Sequence, residues 1–204
     1  AMSGYSGGFL SNGNFLVIKT DTTGALQWAY EYYQSSVTYD EFAWPIVQAA
    51  DGGYYVAGHG FVDEFSSSND IVLMKLNSSG EVQWTKSYGT PGYIDYAHTM
   101  ARLSDGGLVI AGHGIVSPFP TGKDVIVMKL SPNGDVVWAK QYADVNEDNC
   151  YGVIQTSDGG IVAVGFTMRS GSADLDILVI RLDRFGNTLW AKAYGTAGQN
   201  DWGY

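Results

Sequence analysis

A segment of 52–56 residues recurs along the chain, and this repeat constrains the fold more than any other feature. It is clearest at 104–142, where SDGGLVIAGHG precedes DVIVMKLSPNGDVVWAKQY. Related segments occupy 50–88 and 157–194, and the second half of the pattern also opens the chain at 14–32. The tryptophans that mark the repeat are Trp28, Trp84, Trp138 and Trp190, at intervals of 56, 54 and 52 residues. A period of this length indicates a repeat architecture.

Each repeat has room for four short strands. The first is predicted to end at an Asp-Gly-Gly turn, beginning at Asp51, Asp105 and Asp158, because glycine tolerates the positive φ of tight hairpins. The second strand carries the Leu-Val-Ile-Ala-Gly type of run. The third is an almost wholly apolar run, which ends in Lys-Leu or Arg-Leu in the three complete repeats. After a second turn that contains glycine, the fourth strand carries the tryptophan and, four residues later, a tyrosine.

The apolar third strand predicts a sheet that is covered on both faces. No segment between the strands has helical periodicity of useful length, so another sheet must provide the cover. We therefore predict an all-β fold, a β-propeller built from about four repeats of 52–56 residues. Each repeat would form a four-stranded antiparallel blade, with the first blade incomplete and the tryptophans filling the space between neighbouring blades. A linear β-solenoid is the alternative, although its rungs are usually shorter.

The pattern DGG-x4-G followed by D-x4-K-L-x3-G-x3-W-x-K-x-Y resembles the tandem propeller-like repeats of secreted and surface proteins of bacteria and archaea. The resemblance covers almost the whole chain. The L-x3-G-x3-W portion also resembles the repeat of PQQ-type quinoprotein propellers. These resemblances imply a fold, and they imply function only by association, because such repeats serve many functions.

Composition limits the partners. The chain has 204 residues, is 45% hydrophobic and carries a net charge of −10. Such a surface repels the phosphate backbone, so we predict no nucleic-acid partner. No run of 18 apolar residues occurs, so we predict no membrane insertion. The single cysteine, Cys150, aligns with small residues in the other repeats, which indicates a packed side chain rather than a disulfide or zinc ligand.

We predict one β-propeller domain over 1–204. Its repeats are assigned as 1–38 (partial), 39–94, 95–147 and 148–200, followed by a stub at 201–204. We interpret Ala1-Met2 as a cloning remnant and the chain as a segment of a longer parent. The stub aligns with the start of an inner strand, which the first repeat lacks. Either the stub completes that repeat within one chain, or it completes the first repeat of another chain, giving a head-to-tail homo-oligomer.

Four acidic residues recur near the start of the inner strands, where one mouth of a central channel is expected. They are Glu41, Asp95, Asp148 and Asp201. Carboxylates are ligands for Ca²⁺, so Ca²⁺ is the one cofactor that the pattern allows. The alternative is that each carboxylate accepts hydrogen bonds from backbone N–H groups at the crossing between blades. The recurrence favours this structural interpretation, because a structural need repeats with every blade.

An aromatic position on the same inner strands is the candidate ligand site. It holds Trp44, His98, Tyr151 and Tyr204. These rings would stack a sugar or another flat ligand, or they would fill the axis. His59 and His113 share one place in the second strand with Tyr5 and Phe166, which indicates a packing position. The recurring lysines are predicted to pair with carboxylates.

The chain lacks a phosphate-binding loop, a Gly-x-Ser-x-Gly elbow, a Cys-x-x-Cys pair and a His-Glu-x-x-His motif. The leading hypothesis is a non-catalytic scaffold, or a module that interacts with proteins or ligands, in a secreted or cell-surface protein. The alternative is a carbohydrate-binding propeller. A second alternative is a fragment of a quinoprotein or hydrolase whose missing catalytic residues lie in the parent chain.

Overall fold

A computed structural model describes residues 1–6, 14–32, 42–60, 69–90, 92–114, 122–142, 147–168, 171 and 174–204. The described part is built of strands, and no helix is assigned within it. Accordingly, none of the described segments is a helix of the length and apolarity needed to cross a bilayer. The strands are β1 (Met2–Ser6), β2 (Asn14–Thr20), β3 (Leu26–Tyr32), β4 (Phe42–Gln48), β5 (Tyr54–Gly60), β6 (Asp70–Leu76), β7 (Val82–Tyr88), β8 (Asp95–Arg102), β9 (Leu108–Gly114), β10 (Asp124–Leu130), β11 (Val136–Tyr142), β12 (Asp148–Gln155), β13 (Ile161–Met168), β14 (Leu175–Leu182) and β15 (Thr188–Tyr194).

The strands form four sheets with antiparallel neighbours, and the strand order follows the sequence. We call β1–β3 blade 1, β4–β7 blade 2, β8–β11 blade 3 and β12–β15 blade 4. Among the described residues, blade 1 has three strands and each of the other blades has four. The predicted all-β fold of propeller-type blades, with an incomplete first blade, is confirmed. The prediction of one domain over 1–204 stays a prediction.

The Asp-Gly-Gly turn shows why its three residues recur. Gly52 has a φ of 83°, which favours glycine. A methyl group on Gly53 would lie 2.2 Å from the carbonyl oxygen of Leu76, so the backbones approach too closely for any side chain. The Asp51 carboxylate accepts the Gly53 N–H at 2.9 Å and pairs with Lys75 at 2.8 Å. The turn is thereby fixed to the end of the third strand.

The same ion pair occurs in the other complete blades. Lys129 reaches Asp105 at 2.7 Å, and Arg181 reaches Asp158 at 2.6 Å. The predicted pairing with carboxylates is confirmed for these cations of the third strands. The hydrogen bond from Lys75 is the main reason why the pKa of Asp51 is lowered.

The chain divides into two compact units, Ala1–Ala97 and His98–Tyr204, each with its own core. In the first unit, Phe15 and Val17 of blade 1 pack with Val72 and Leu76 of blade 2. In the second unit, strands of blades 3 and 4 form a core that contains Cys150. Burial raises the pKa of the Cys150 thiol to about 12, so this side chain is a neutral packing group, as its alignment predicts.

Within each unit, the fourth strand of one blade carries a tryptophan that lies over a turn of the next blade. Trp28 donates its indole N–H to the carbonyl oxygen of Ser78 at 3.3 Å, and Trp138 donates to that of Arg184 at 3.3 Å. Both indoles are half-buried. The prediction of tryptophans as filler between blades is confirmed for these two, whereas Trp190 of blade 4 is 42% exposed.

Candidate functional site

In the unit His98–Tyr204, three of the predicted aromatic residues form a row. His98 lies on β8, Tyr151 on β12, and Tyr204 follows β15. The ring centroids of His98 and Tyr151 are 5.0 Å apart, and those of Tyr151 and Tyr204 are 5.6 Å apart. The rings are tilted by 39° and 35°. We call His98, Tyr151 and Tyr204 the aromatic row.

A second histidine orients one end of the row. His98 Nε2 and His113 Nδ1 are 2.9 Å apart, so one ring donates and the other accepts. Burial, together with the charge of Lys123, lowers the pKa of His98 to about 4. Because both rings are hydrogen-bonded and His98 is neutral at pH 7, this pair fits an orienting contact rather than acid–base chemistry.

The other end of the row is supported from β13. The Phe166 ring lies 6.0 Å from Tyr151 and 4.8 Å from Trp202. Asn149 donates an amide N–H to the Tyr151 hydroxyl at 3.1 Å. Tyr204 is 83% exposed, and Trp202 is also exposed. This end therefore presents aromatic surface to solvent, with Tyr151 held from two sides.

Trp44, the fourth predicted aromatic residue, belongs to the unit Ala1–Ala97. Its ring centroid lies 6.2 Å from that of His59, and His59 contacts Tyr96 edge-on at 4.0 Å. Asn69 donates to the Tyr96 hydroxyl at 3.2 Å. The Trp44 side chain is half exposed, whereas His59 is buried. The histidine position of the second strand therefore packs against aromatic side chains in both units.

Two of the recurring carboxylates accept hydrogen bonds from the backbone. Asp95 accepts the Thr90 N–H at 2.7 Å, and Asp201 accepts the Thr196 N–H at 2.7 Å. Each thus binds the segment that follows a fourth strand. Asp95 is only 2% exposed, and burial raises its pKa although the Thr90 N–H opposes the shift. Asp148 is also buried. The hydrogen bonds of Asp95 and Asp201 are of the kind that the structural interpretation predicts, in which carboxylates accept backbone N–H groups.

No group of three or more His, Cys, Asp or Glu side chains is placed to hold a metal ion in the part of the chain that the structure describes. Glu41, one of the four predicted ligands, lies outside the described residues. The calcium interpretation therefore stays a prediction.

The sequence interpretation missed a second set of recurring acids at the start of the third strands. A methyl group on Gly195 would lie 2.1 Å from Asp176 Oδ1 and 3.0 Å from Asp201 Oδ2, so these two carboxylates share one edge of blade 4. Asp124 accepts a hydrogen bond from Gln141. The signal was present, because Asp70, Asp124 and Asp176 align in the repeat.

A groove of about 500 Å³ also lies in the unit His98–Tyr204. It is lined by one or more residues of each strand from β11 to β15, among them Tyr142, Asp148, Thr167 and Lys192. About half of the lining side chains are polar or charged, whereas ligand sites are usually lined mostly by apolar side chains. It holds none of the aromatic row.

Comparisons with known proteins assign no function to this chain. No protein-family profile matches the chain, and no curated protein matches it. Among solved structures, it is similar to a eukaryotic initiation factor at 10% identity and a TM-score of 0.48; the match covers 95% of this chain and 43% of that protein. It is also similar to a Bacteroides caccae protein of unknown function at 11% identity and a TM-score of 0.34, over 90% of this chain and 75% of that one.

The four antiparallel sheets and their repeated turns define the class of this protein. It is an all-β repeat protein with propeller-type blades. Because a fold of this class supports many activities, its function has to be argued from the site.

Proposed function

We propose that the chain is a non-catalytic interaction module of a secreted or cell-surface protein. The observation that supports this proposal is the use of the recurring charged residues. The cations of the third strands bind the Asp-Gly-Gly turns, as in the pair of Lys75 and Asp51. Asp95 and Asp201 bind backbone N–H groups. A catalytic set is usually asymmetric, whereas these contacts repeat from blade to blade.

The test is a search for turnover. The intact chain is assayed with chromogenic glycosides, esters and phosphoesters, and its absorbance spectrum is recorded for bound quinone. We expect no turnover above the buffer rate and no quinone band. Turnover that is lost in Asp148→Asn, with Asp105→Asn as the matched control in a structural ion pair, would contradict the proposal. So would a stoichiometric quinone.

A second candidate, carbohydrate binding, is favoured by the aromatic row. The exposed faces of Tyr204 and Trp202 lie at one end of the row, and Phe166 and Asn149 hold Tyr151 in place. Aromatic faces with a few polar groups are the usual composition of a sugar site. The net charge of −10 favours a neutral glycan over an anionic one.

A glycan array separates the two candidates. If the row binds a sugar, Tyr151→Ala should weaken saturable binding by about tenfold or more, equivalent to the loss of one good stacking contact. Trp44→Ala examines the aromatic position of the other unit in the same way. Phe185→Ala is the control, because Phe185 is also exposed but lies on the turn between β14 and β15. Binding that both Tyr151→Ala and Trp44→Ala retain would exclude the aromatic positions.

A further inference from the structure

The contact between consecutive blades follows one rule in both compact units. Besides the tryptophan bonds described above, the tyrosine four residues later donates its hydroxyl to the glycine of the same turn. Tyr32 reaches the Gly80 carbonyl oxygen at 2.6 Å, and Tyr142 reaches that of Gly186 at 2.6 Å. We call the tryptophan and tyrosine of a fourth strand the aromatic pair. The turn between the third and fourth strands is the receiving turn.

The aromatic pair of blade 4 is exposed to solvent. Trp190 is 42% exposed and Tyr194 is 51% exposed, whereas Trp138 and Tyr142 of blade 3 are half-buried. Every residue of β15 is exposed, including Leu189. An exposed strand that carries a tryptophan, a tyrosine and a leucine is unusual unless it serves as an interaction surface.

The receiving turn of blade 1, residues 21–24, is open as well. Gly80 and Gly186, the glycines of the covered turns, are buried, whereas Gly24 is exposed. A methyl group on Gly80 would lie 2.7 Å from Tyr30, and one on Gly186 would lie 3.0 Å from Trp138. A methyl group on Gly24 would have no neighbour within 4 Å.

The open turn already has the shape of a covered one. The Asp21 carboxylate accepts the N–H groups of Thr23 at 2.8 Å and Ala25 at 3.0 Å. In the covered turn of blade 4, Asp183 accepts those of Phe185 and Asn187, both at 2.8 Å. Blade 1 therefore presents its carbonyl oxygens without rearrangement, which lowers the cost of association.

The inner strands give a second, independent match. β1 pairs with β2 and with no other strand among the described residues. Residues 201–204 lie on blade 4, where Asp201 N–H donates to the Leu175 carbonyl at 2.7 Å. Asp95 makes the same bond to Asn69 at 2.8 Å, at the start of an inner strand. Residues 201–204 are thus placed as an inner strand but are not in a sheet.

We propose that blade 4 of one copy binds blade 1 of a second copy, head to tail. The Trp190 indole donates to the Thr22 carbonyl oxygen, and the Tyr194 hydroxyl donates to the Gly24 carbonyl oxygen. Residues 201–204 add to the free edge of β1, by the β-strand addition that many complexes use. The contact joins two different surfaces, so it is heterologous and each copy has one surface of each kind.

Sedimentation measures the self-association. The intact chain should associate reversibly between about 1 and 100 µM. Trp190→Ala should weaken the association by about thirtyfold, as for a central aromatic contact. Tyr194→Phe, which removes one hydroxyl, should weaken it about threefold to tenfold. Phe185→Ala is the matched control and should leave it unchanged. A monomeric wild-type chain at 100 µM, or an association that Trp190→Ala does not affect, would overturn the proposal.

Gly24→Asn tests the turn. Asparagine tolerates a positive φ better than other residues with side chains, and the free turn has room for it. In the complex, its side chain would overlap the aromatic pair, so this variant should not associate. Circular dichroism melting at low concentration checks that both variants fold.

Mixing the two variants tests the heterologous geometry. Trp190→Ala keeps an intact turn and Gly24→Asn keeps an intact aromatic pair, so an equimolar mixture should form heterodimers at a concentration where each variant alone stays monomeric. A mixture that stays monomeric although the wild type associates would overturn the proposal. The proposal would also be overturned if Trp190 in a monomeric wild-type chain were already shielded from a soluble quencher of its fluorescence. Another part of the same chain would then cover Trp190.

Discussion

At the scale of single residues, Tyr142 of β11 has a defined role in the contact between blades 3 and 4. Burial raises the pKa of Tyr142 to about 12, so its hydroxyl stays protonated and donates to Gly186. Tyr142→Phe should lower the free energy of unfolding by about 1 kcal/mol, because the Gly186 carbonyl oxygen loses its donor. Urea denaturation of dilute protein measures the change.

Tyr194→Phe is the control for that measurement. Tyr194 occupies the same position in blade 4 and is 51% exposed, so its loss should leave the stability of the dilute chain within about 0.5 kcal/mol of wild type. An equal loss of stability in both variants would contradict the role assigned to the receiving turn.

His98 predicts a dependence of stability on pH. Its pKa is lowered to about 4 in the folded chain, whereas an unfolded histidine titrates near 6.5. The unfolded state therefore binds the proton more readily, and stability is full above about pH 6.5 and falls as the pH drops towards 4. The expected loss is about 2–3 kcal/mol.

The matched variant is His98→Tyr. Tyrosine stands at the aligned position of the following repeats, as Tyr151 and Tyr204. Carboxylates also titrate below pH 5, so the informative quantity is the difference between the pH slopes of the variant and the wild type. His113, Tyr151 and the cationic Lys123 surround the imidazole. Identical slopes between pH 4 and 6.5 would show that the imidazole is not the group that titrates.

At the scale of strands and turns, the sequence predicts most of the fold because its signals are local. An Asp-Gly-Gly turn requires a particular backbone, and the carboxylate that closes it lies within the same blade as the lysine that it pairs with. An apolar third strand likewise requires cover on both faces. These constraints act within a single repeat, so the recurring sequence pattern is enough to predict them.

The candidate site was less predictable because its contacts join residues of different strands. The alignment places His98 and His113 in separate positions, and only the pairing of β8 with β9 brings their nitrogens to 2.9 Å. Similarly, the tryptophans align in every repeat, but their exposure depends on whether a turn of another blade covers them. Trp138 is covered by the turn of blade 4, and Trp190 is open.

This difference leads to a prediction for the tryptophans. Trp138→Ala should cost about 2–4 kcal/mol, because it removes apolar contacts with the core of the second unit together with the bond to Arg184. Trp190→Ala should cost less than about 1 kcal/mol in dilute protein. Equilibrium denaturation of the two variants side by side gives both values, and a reversed order would contradict the packing described for blades 3 and 4.

At the scale of the whole molecule, the remaining question is whether an ion contributes to stability. Asp95 and Asp201 each bind a backbone N–H group, and Asp148 is buried. We expect millimolar Ca²⁺ or a chelator to change the melting temperature by less than about 1 °C, because a ligand raises stability only when the folded state binds it. Asp148→Asn should melt lower than wild type, and by the same amount with and without Ca²⁺. If Ca²⁺ instead raised the melting temperature of the wild type by many degrees and not that of Asp148→Asn, Asp148 would be a metal ligand, and the structural account of the recurring carboxylates would fail.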